Sequence, residues 1–273
     1  NQYAGQDIAS HDWLHWTGNA QNWNTMCASC HSTNLVKNYD TKTDSYKTTY
    51  DIINVSCESC HGAGLNHSKY LNSKEYKAGE KTVGSYLKMH KKSSQLEVIN
   101  DCAPCHARVS EITQKHIDSK EIMDNYIPEI PSTEHFHADG QVDDEDYIYT
   151  SFLQSKMFAH GVKCTDCHNP HTTKLKRMDN QTCTKCHVAT TFDTPKHTFH
   201  PMGSKGASCV SCHMPGKIFM GNDFRHDHSF RVPRPDLSVK YGTPNACNRC
   251  HTEKTNKDMA DAVVKWYGPN RKY

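Results

Sequence analysis

All fourteen cysteines in this 273-residue chain fall in one spacing, Cys-x-x-Cys-His. The seven copies are Cys27/Cys30/His31, Cys57/Cys60/His61, Cys102/Cys105/His106 and Cys164/Cys167/His168, then Cys183/Cys186/His187, Cys209/Cys212/His213 and Cys247/Cys250/His251. Two thiols three residues apart share one face of a helical turn, and a histidine four residues from the first thiol stands on that face too. That geometry suits two thioethers on a porphyrin edge and one imidazole on its iron, which is c-type haem attachment. Structural zinc would use such pairs two at a time, and seven cannot all be matched. A disulfide framework has no need of a histidine after every second cysteine. Histidine is 20 of 273 residues, about 7%, so seven chance placements have a probability on the order of one in a hundred million.

Seven haems, one per 39 residues (273/7), would themselves form the interior. Hydrophobic residues are only 35% of the chain and mean hydropathy is −0.83, too little for a side-chain core of this length. Porphyrin faces would supply the missing apolar surface. The expected fold is therefore mostly coil with short α-helices, a multihaem cytochrome c fold wrapped around a stack of seven haems, with little or no β-sheet. The charge is near balance, 32 basic against 30 acidic residues, which argues against nucleic acid as a partner. No stretch approaches 18 apolar residues, so no transmembrane segment is expected. Asn1 is not an initiator and no signal-peptide core follows it, which says nothing about export; cleavage at either terminus stays open.

The longest motif-free stretch runs from Ala107 to Lys163. Residues 1–120 are read as a module of haems one to three, 121–143 as a bridging loop, and 144–273 as a module of haems four to seven, the whole forming one continuous body. Helices are expected over Ala107–Ile117 from Val109, Ile112 and His116, over Tyr147–His160 ended by Gly161, and from a cap at Asn256 to a stop at Gly268-Pro269. Pro128, Pro131 and the run Asp143-Asp144-Glu145-Asp146 read as loop; Ca²⁺ binding by that run is the less favoured reading.

Thirteen histidines lie outside the motifs, and seven bis-histidine haems need seven of them. The expected distal ligands are His15, His67, His137, His160, His171, His200 and His228, with His197 and His226 as substitutes. His171 lies three residues after His168; on a helical turn the two would emerge on one side about 5–6 Å apart, so His171 would serve a neighbouring haem. The same reasoning applies to His160, four residues before Cys164. His116, ten residues along the expected helix from His106, points elsewhere. Arg225, Arg231 and Arg234 surround His228 and suit haem propionates, with an anionic substrate pocket as the alternative.

Further segments carry a resemblance. They are His15-Trp16-Thr17-Gly18, Gln21-Asn22-Trp23-Asn24, Cys57-Glu58-Ser59-Cys60-His61-Gly62, His137-Ala138-Asp139-Gly140-Gln141, Cys167-His168-Asn169-Pro170-His171, Phe192-Asp193-Thr194-Pro195, Cys212-His213-Met214-Pro215 and Asp227-His228-Ser229-Phe230-Arg231-Val232-Pro233-Arg234-Pro235-Asp236. From His15 to Gly268 the chain resembles the haem region of bacterial tetratricopeptide-associated multihaem c-type cytochromes, similar to the larger hydroxylamine oxidoreductase and cytochrome c nitrite reductase superfamily. It departs in having less sequence before the first motif and no tetratricopeptide region after Gly268, which implies a haem-only version or a processed piece. The resemblance does not fix activity, because carriers, reductases and oxidases share this architecture.

Electron transfer through closely packed bis-histidine haems is the leading expectation, with redox proteins or extracellular electron acceptors as partners. Covalent attachment implies export, to the periplasm or the cell exterior. The alternative is an oxidoreductase with one open haem acting on a small nitrogen or sulfur oxyanion, using Tyr147, Tyr149 and His135 as polar groups. No motif carries lysine in place of histidine, the substitution that nitrite reductases of the superfamily often show, so no catalytic residue is assigned. A third reading is a subunit of an extracellular filament, or nanowire. If haems follow chain order, the end haems are partly exposed, and head-to-tail contact through His11 or His15 would propagate a homopolymer.

Overall fold

The computed structural model describes residues 7–76, 86–88, 92–113, 121–144, 147–220 and 223–270. The chain is mostly coil punctuated by short helices, many of them a single four-residue turn. The described strands pair only as five two-stranded antiparallel sheets. This is the architecture expected of a chain wound around many prosthetic groups. It divides into two compact units, Asn1–Pro128 and Glu129–Tyr273.

The first unit's longest helix, Gln95–His106, precedes the third motif and contains it. A capping box starts it: the Ser94 hydroxyl accepts from Glu97 N–H, and the Glu97 carboxylate accepts from Ser94 N–H. Val98, Ile99 and Ala103 form its buried face. The helix expected over Ala107–Ile117 is thereby corrected, because the chain turns extended at Ala107 (φ −125°, ψ 151°). Val109–Glu111 instead pairs antiparallel with Tyr126–Pro128, in the register Val109↔Pro128, Ser110↔Ile127 and Glu111↔Tyr126. His116 lies outside the described residues.

In the second unit, the helix expected over Tyr147–His160 is two helices, Ile148–Leu153 and Lys156–Ala159. Ser155 interrupts it, because its hydroxyl accepts from Phe158 N–H and caps a new helix start. The last helix, Asn256–Tyr267, is capped by Thr255 rather than Asn256, since Thr255 and Asp258 form a capping box. Asn256 instead accepts from the Asn245 amide at 2.9 Å.

Buried apolar side chains are few and often small, such as Ala28, Ala103, Ala107 and Ala207 beside Val98, Ile99, Phe136 and Phe152. The largest fully buried side chains are Thr33, Pro235, Ser151 and Ser238. Side chains packed on one another do not build this interior. That agrees with the low apolar content of the sequence.

Candidate haem centres

Each attachment motif folds as one closed turn. The amide of the motif histidine donates to the carbonyl of the first cysteine at His31 (3.0 Å), His61 (2.9 Å), His187 (3.0 Å) and His251 (3.0 Å), and His168 does the same on Cys164. The third and sixth motifs lie inside the helices Gln95–His106 and Cys209–His213. An i to i−4 turn is what places two thiols and the following imidazole together.

Exposure divides the fourteen attachment cysteines. Ten are half-buried, whereas Cys57, Cys60, Cys186 and Cys250 are exposed. The reason is local. Cys186 and Cys250 each lie just past a short turn, Gln181–Thr184 and Cys247–Arg249, and their amides donate to the carbonyls of Cys183 and Cys247 (3.1 Å each). Neither turn buries a residue, so the second thiol of each motif emerges at the surface. Cys57 and Cys60 belong to the turn around Glu58–His61, which buries none either.

Among the described residues, His61, His200, His213, His226 and His228 have Nδ1 committed to a backbone carbonyl. His61 donates to Lys88 (2.7 Å), His213 to Arg231 (2.8 Å), His200 to Thr198 (2.6 Å), His226 to Met214 (2.6 Å) and His228 to His226 (2.8 Å). With the proton held at Nδ1, Nε2 keeps its lone pair for a metal, and the ring is fixed in orientation.

Among the described residues, the motif histidines His168, His213 and His251 each face a second histidine. Ring centroids are 6.3 Å apart for His168 and His228, 6.1 Å for His213 and His197, and 6.0 Å for His251 and His200. A bond from imidazole nitrogen to a first-row metal is about 2 Å, so two imidazoles trans across one ion hold their centroids about 6 Å apart. The spacing fits an iron between each pair. Burial pushes the pKa of His168, His228, His197 and His213 below the usual histidine range, which favours the neutral, metal-binding form.

The thiols are grouped as well. In the first unit Cys30 Sγ lies 3.8 Å from the Pro104 carbonyl and 3.9 Å from that of Cys105, so motif one adjoins motif three. The Cys105 thiol, hydrogen-bonded to Cys30, is pushed up while Cys30 is lowered. In the second unit the Cys183 and Cys209 thiols are hydrogen-bonded, which lowers Cys209 to about 7. Asn180 ties these two motifs together: its Oδ1 accepts from Cys209 N–H (2.9 Å), its Nδ2 donates to the Ala207 carbonyl (3.0 Å), and its own carbonyl accepts from Thr184 N–H (2.9 Å).

Of the expected distal ligands, His200 and His228 stand opposite motif histidines. His197, read as a substitute, stands opposite a third. His15 bonds the Thr17 hydroxyl through Nδ1 (2.7 Å) on an exposed turn, and His67 sits in the helix Leu65–Leu71 with a buried Nδ1 that has no hydrogen-bond partner. His137 points Nε2 at Asp143 (3.1 Å), while His160 and His171 are exposed. The helical-turn geometry assumed for His168 and His171 does not form. His168 is already extended (φ −99°, ψ 148°), as Pro170 disfavours helix at Asn169. Gly161, at φ 79°, similarly separates His160 from the fourth motif.

A local signal marks two of the facing histidines. His197-Thr198-Phe199 and His228-Ser229-Phe230 share a His-hydroxyl-Phe pattern, and both phenylalanines are left-handed (φ 56° and 48°). Such a conformation costs a bulky residue on the order of 1–3 kcal/mol. It brings Phe230 edge-on to His228 at 5.7 Å. Of the three arginines, Arg231 donates to the Asp139 carbonyl and the Ser229 hydroxyl, and Arg234 clamps Asp236. Arg225 pairs with Asp223 through Nε but keeps a buried Nη1 with no hydrogen-bond partner, a donor suited to a carboxylate such as a propionate.

Attachment turns, opposed imidazoles and a chain built without a side-chain core define a multihaem c-type cytochrome, with haem held covalently. Residues 7–62 match the family model of cytochrome c554 and c-prime, and residues 156–192 match that of the doubled CXXCH motif. The fold is similar to the crystal structure of the outer cell wall cytochrome OcwA, with a TM-score of 0.64 at 18% identity over 89% of this chain. This chain spans 63% of the length of OcwA. An undecahaem cytochrome from the S-layer of Carboxydothermus ferrireducens matches at a TM-score of 0.44 and 18% identity, over 90% of this chain and 47% of that one. No curated protein matches the chain in sequence. No helix among the described residues is long and apolar enough to cross a membrane.

Proposed function

We propose that this chain is an exported electron-transfer protein carrying seven haems with paired imidazole ligands. The opposed rings of His168/His228, His213/His197 and His251/His200 support the reading most directly. A haem held by both rings of such a pair would keep no open iron position for substrate, which at these three motifs favours a carrier over an oxidoreductase. Bound haem supplies reversible one-electron chemistry at its iron. The chain's part is to fix ligands and spacing. Backbone carbonyls at His61, His200, His213 and His228 hold the rings still, and Asn180 holds neighbouring attachment turns together. Burial favours the neutral form at His168, His228, His197 and His213.

The count of seven rests on the seven motifs, and export follows from covalent attachment, which is completed outside the cytoplasm. Redox proteins or extracellular acceptors are the partners this chemistry requires. Intact mass of the denatured protein tests the count: seven haems and no titratable thiol are expected, and six or fewer refute it. Electron paramagnetic resonance of the oxidised protein tests the carrier reading. Low-spin signals alone are expected, and a high-spin signal amounting to one whole haem per chain refutes it. Light scattering separates transient docking, at the mass of one chain, from a head-to-tail filament.

A further inference from the structure

Two of the proposed distal ligands, His197 and His200, serve successive haems, yet one small aromatic cluster touches both. Phe199 lies between them in sequence, turned left-handed where the helix Pro195–Thr198 ends. Its ring stacks flat on Trp266 (centroids 4.6 Å, planes 3° apart) and meets Tyr267 edge-on at 5.4 Å. Tyr267 packs edge-on to His197 at 6.2 Å, and its hydroxyl donates to the His197 carbonyl. Trp266 packs edge-on to His200 at 6.4 Å. Both Trp266 and Tyr267 stand at the end of the helix Asn256–Tyr267, whose Thr255 cap is four residues beyond His251.

We infer that Phe199, Trp266 and Tyr267 form a shared clasp that positions the sixth ligands of haems six and seven together. The inference rests on the ligand pairing proposed above. Physically, an imidazole on iron keeps one torsion about the metal–nitrogen bond, and neighbouring side chains set it. Ring–ring contacts in offset and edge-on geometry resist that rotation. The His197 and His213 planes are held 10° apart and those of His200 and His251 38° apart. Ligand orientation and its surroundings tune potential, so one helix end would set the potentials of two adjacent haems at once. Trp266, Tyr267 and Phe199 are positioning residues, and none of them touches iron.

The test uses the fully haem-loaded protein and compares Trp266→Ala, Trp266→Phe and Tyr267→Phe with His197→Ala and His200→Ala. Paramagnetic resonance reports the angle between imidazole planes, and a potentiometric titration reports each haem. The two histidine variants each turn one haem high-spin, which identifies the signals of haems six and seven. Trp266→Ala is expected to move those same two signals and potentials together, leaving five unchanged. Trp266→Phe is expected to restore most of both, and Tyr267→Phe to move haem six alone. If Trp266→Ala disturbs neither signal, only one, or all seven alike, the clasp is refuted. Should Trp266→Ala fail to fold, Tyr267→Phe decides: an unmoved haem-six signal refutes the clasp. If instead the histidine variants leave every haem low-spin, it is the ligand pairing that fails.

Discussion

Gly206→Ala isolates the ligand assignment of haem seven with one methyl group. A Cβ at residue 206 would sit 2.1 Å from Cδ2 of His200, 2.4 Å from Cγ and 2.7 Å from Nε2. Ordinary contact begins at 3.4 Å, so the ring must retreat by about 1.3 Å (3.4 − 2.1). The retreat is comparable with the metal–imidazole bond itself, about 2 Å. His200 cannot simply slide, because Nδ1 is tied to the Thr198 carbonyl at 2.6 Å and Trp266 stands edge-on to the ring. Overpacking of this kind costs about 1–3 kcal/mol, small enough for the fold to survive. Oxidised Gly206→Ala should therefore show one further haem per chain high-spin, by integrated paramagnetic resonance, than the parent protein. Retention of all haems low-spin, with unchanged potentials, would refute the placement of His200 on iron.

His228→Ala should turn the haem at Cys164 and Cys167 high-spin, whereas His171→Ala should leave that haem low-spin; the reverse result overturns the pairing of His168 with His228. Asn180→Ala strands the Cys209 N–H and removes donors from Ala207 and Asp193, so thermal stability should fall by about 1–3 kcal/mol in calorimetry while intact mass still shows every haem. Arg225→Leu removes a charged donor whose buried Nη1 suits a carboxylate; the potential of one haem should fall, and identical titrations of variant and parent would argue against a propionate there.

The attachment motifs were fully legible, because two thioethers and a proximal imidazole are a local demand met within five residues. The facing of one histidine by another is set by distant chain: His228 meets a motif histidine 60 residues upstream, while His197 and His200 meet motif histidines 16 and 51 residues downstream, so motif spacing alone does not pair them. Reasoning from helical turns failed at His171 because Asn169-Pro170 extends the chain at once. The helix Gln95–His106, not expected from the sequence, starts at a Ser94–Glu97 capping box and tolerates Pro104 inside it. The mostly coil architecture followed from composition, since a chain this poor in apolar side chains must gather around something else.

The carbonyls that hold His61, His200, His213, His226 and His228 belong to the main chain. No side-chain exchange at Lys88, Thr198, Arg231, Met214 or His226 deletes the acceptor, provided the backbone keeps its path. Ligand basicity is thereby insulated from point mutation in a way that a carboxylate partner would not be. In the ligand arrangement proposed above, loop side chains could then change while the acceptors that orient these rings stay in place.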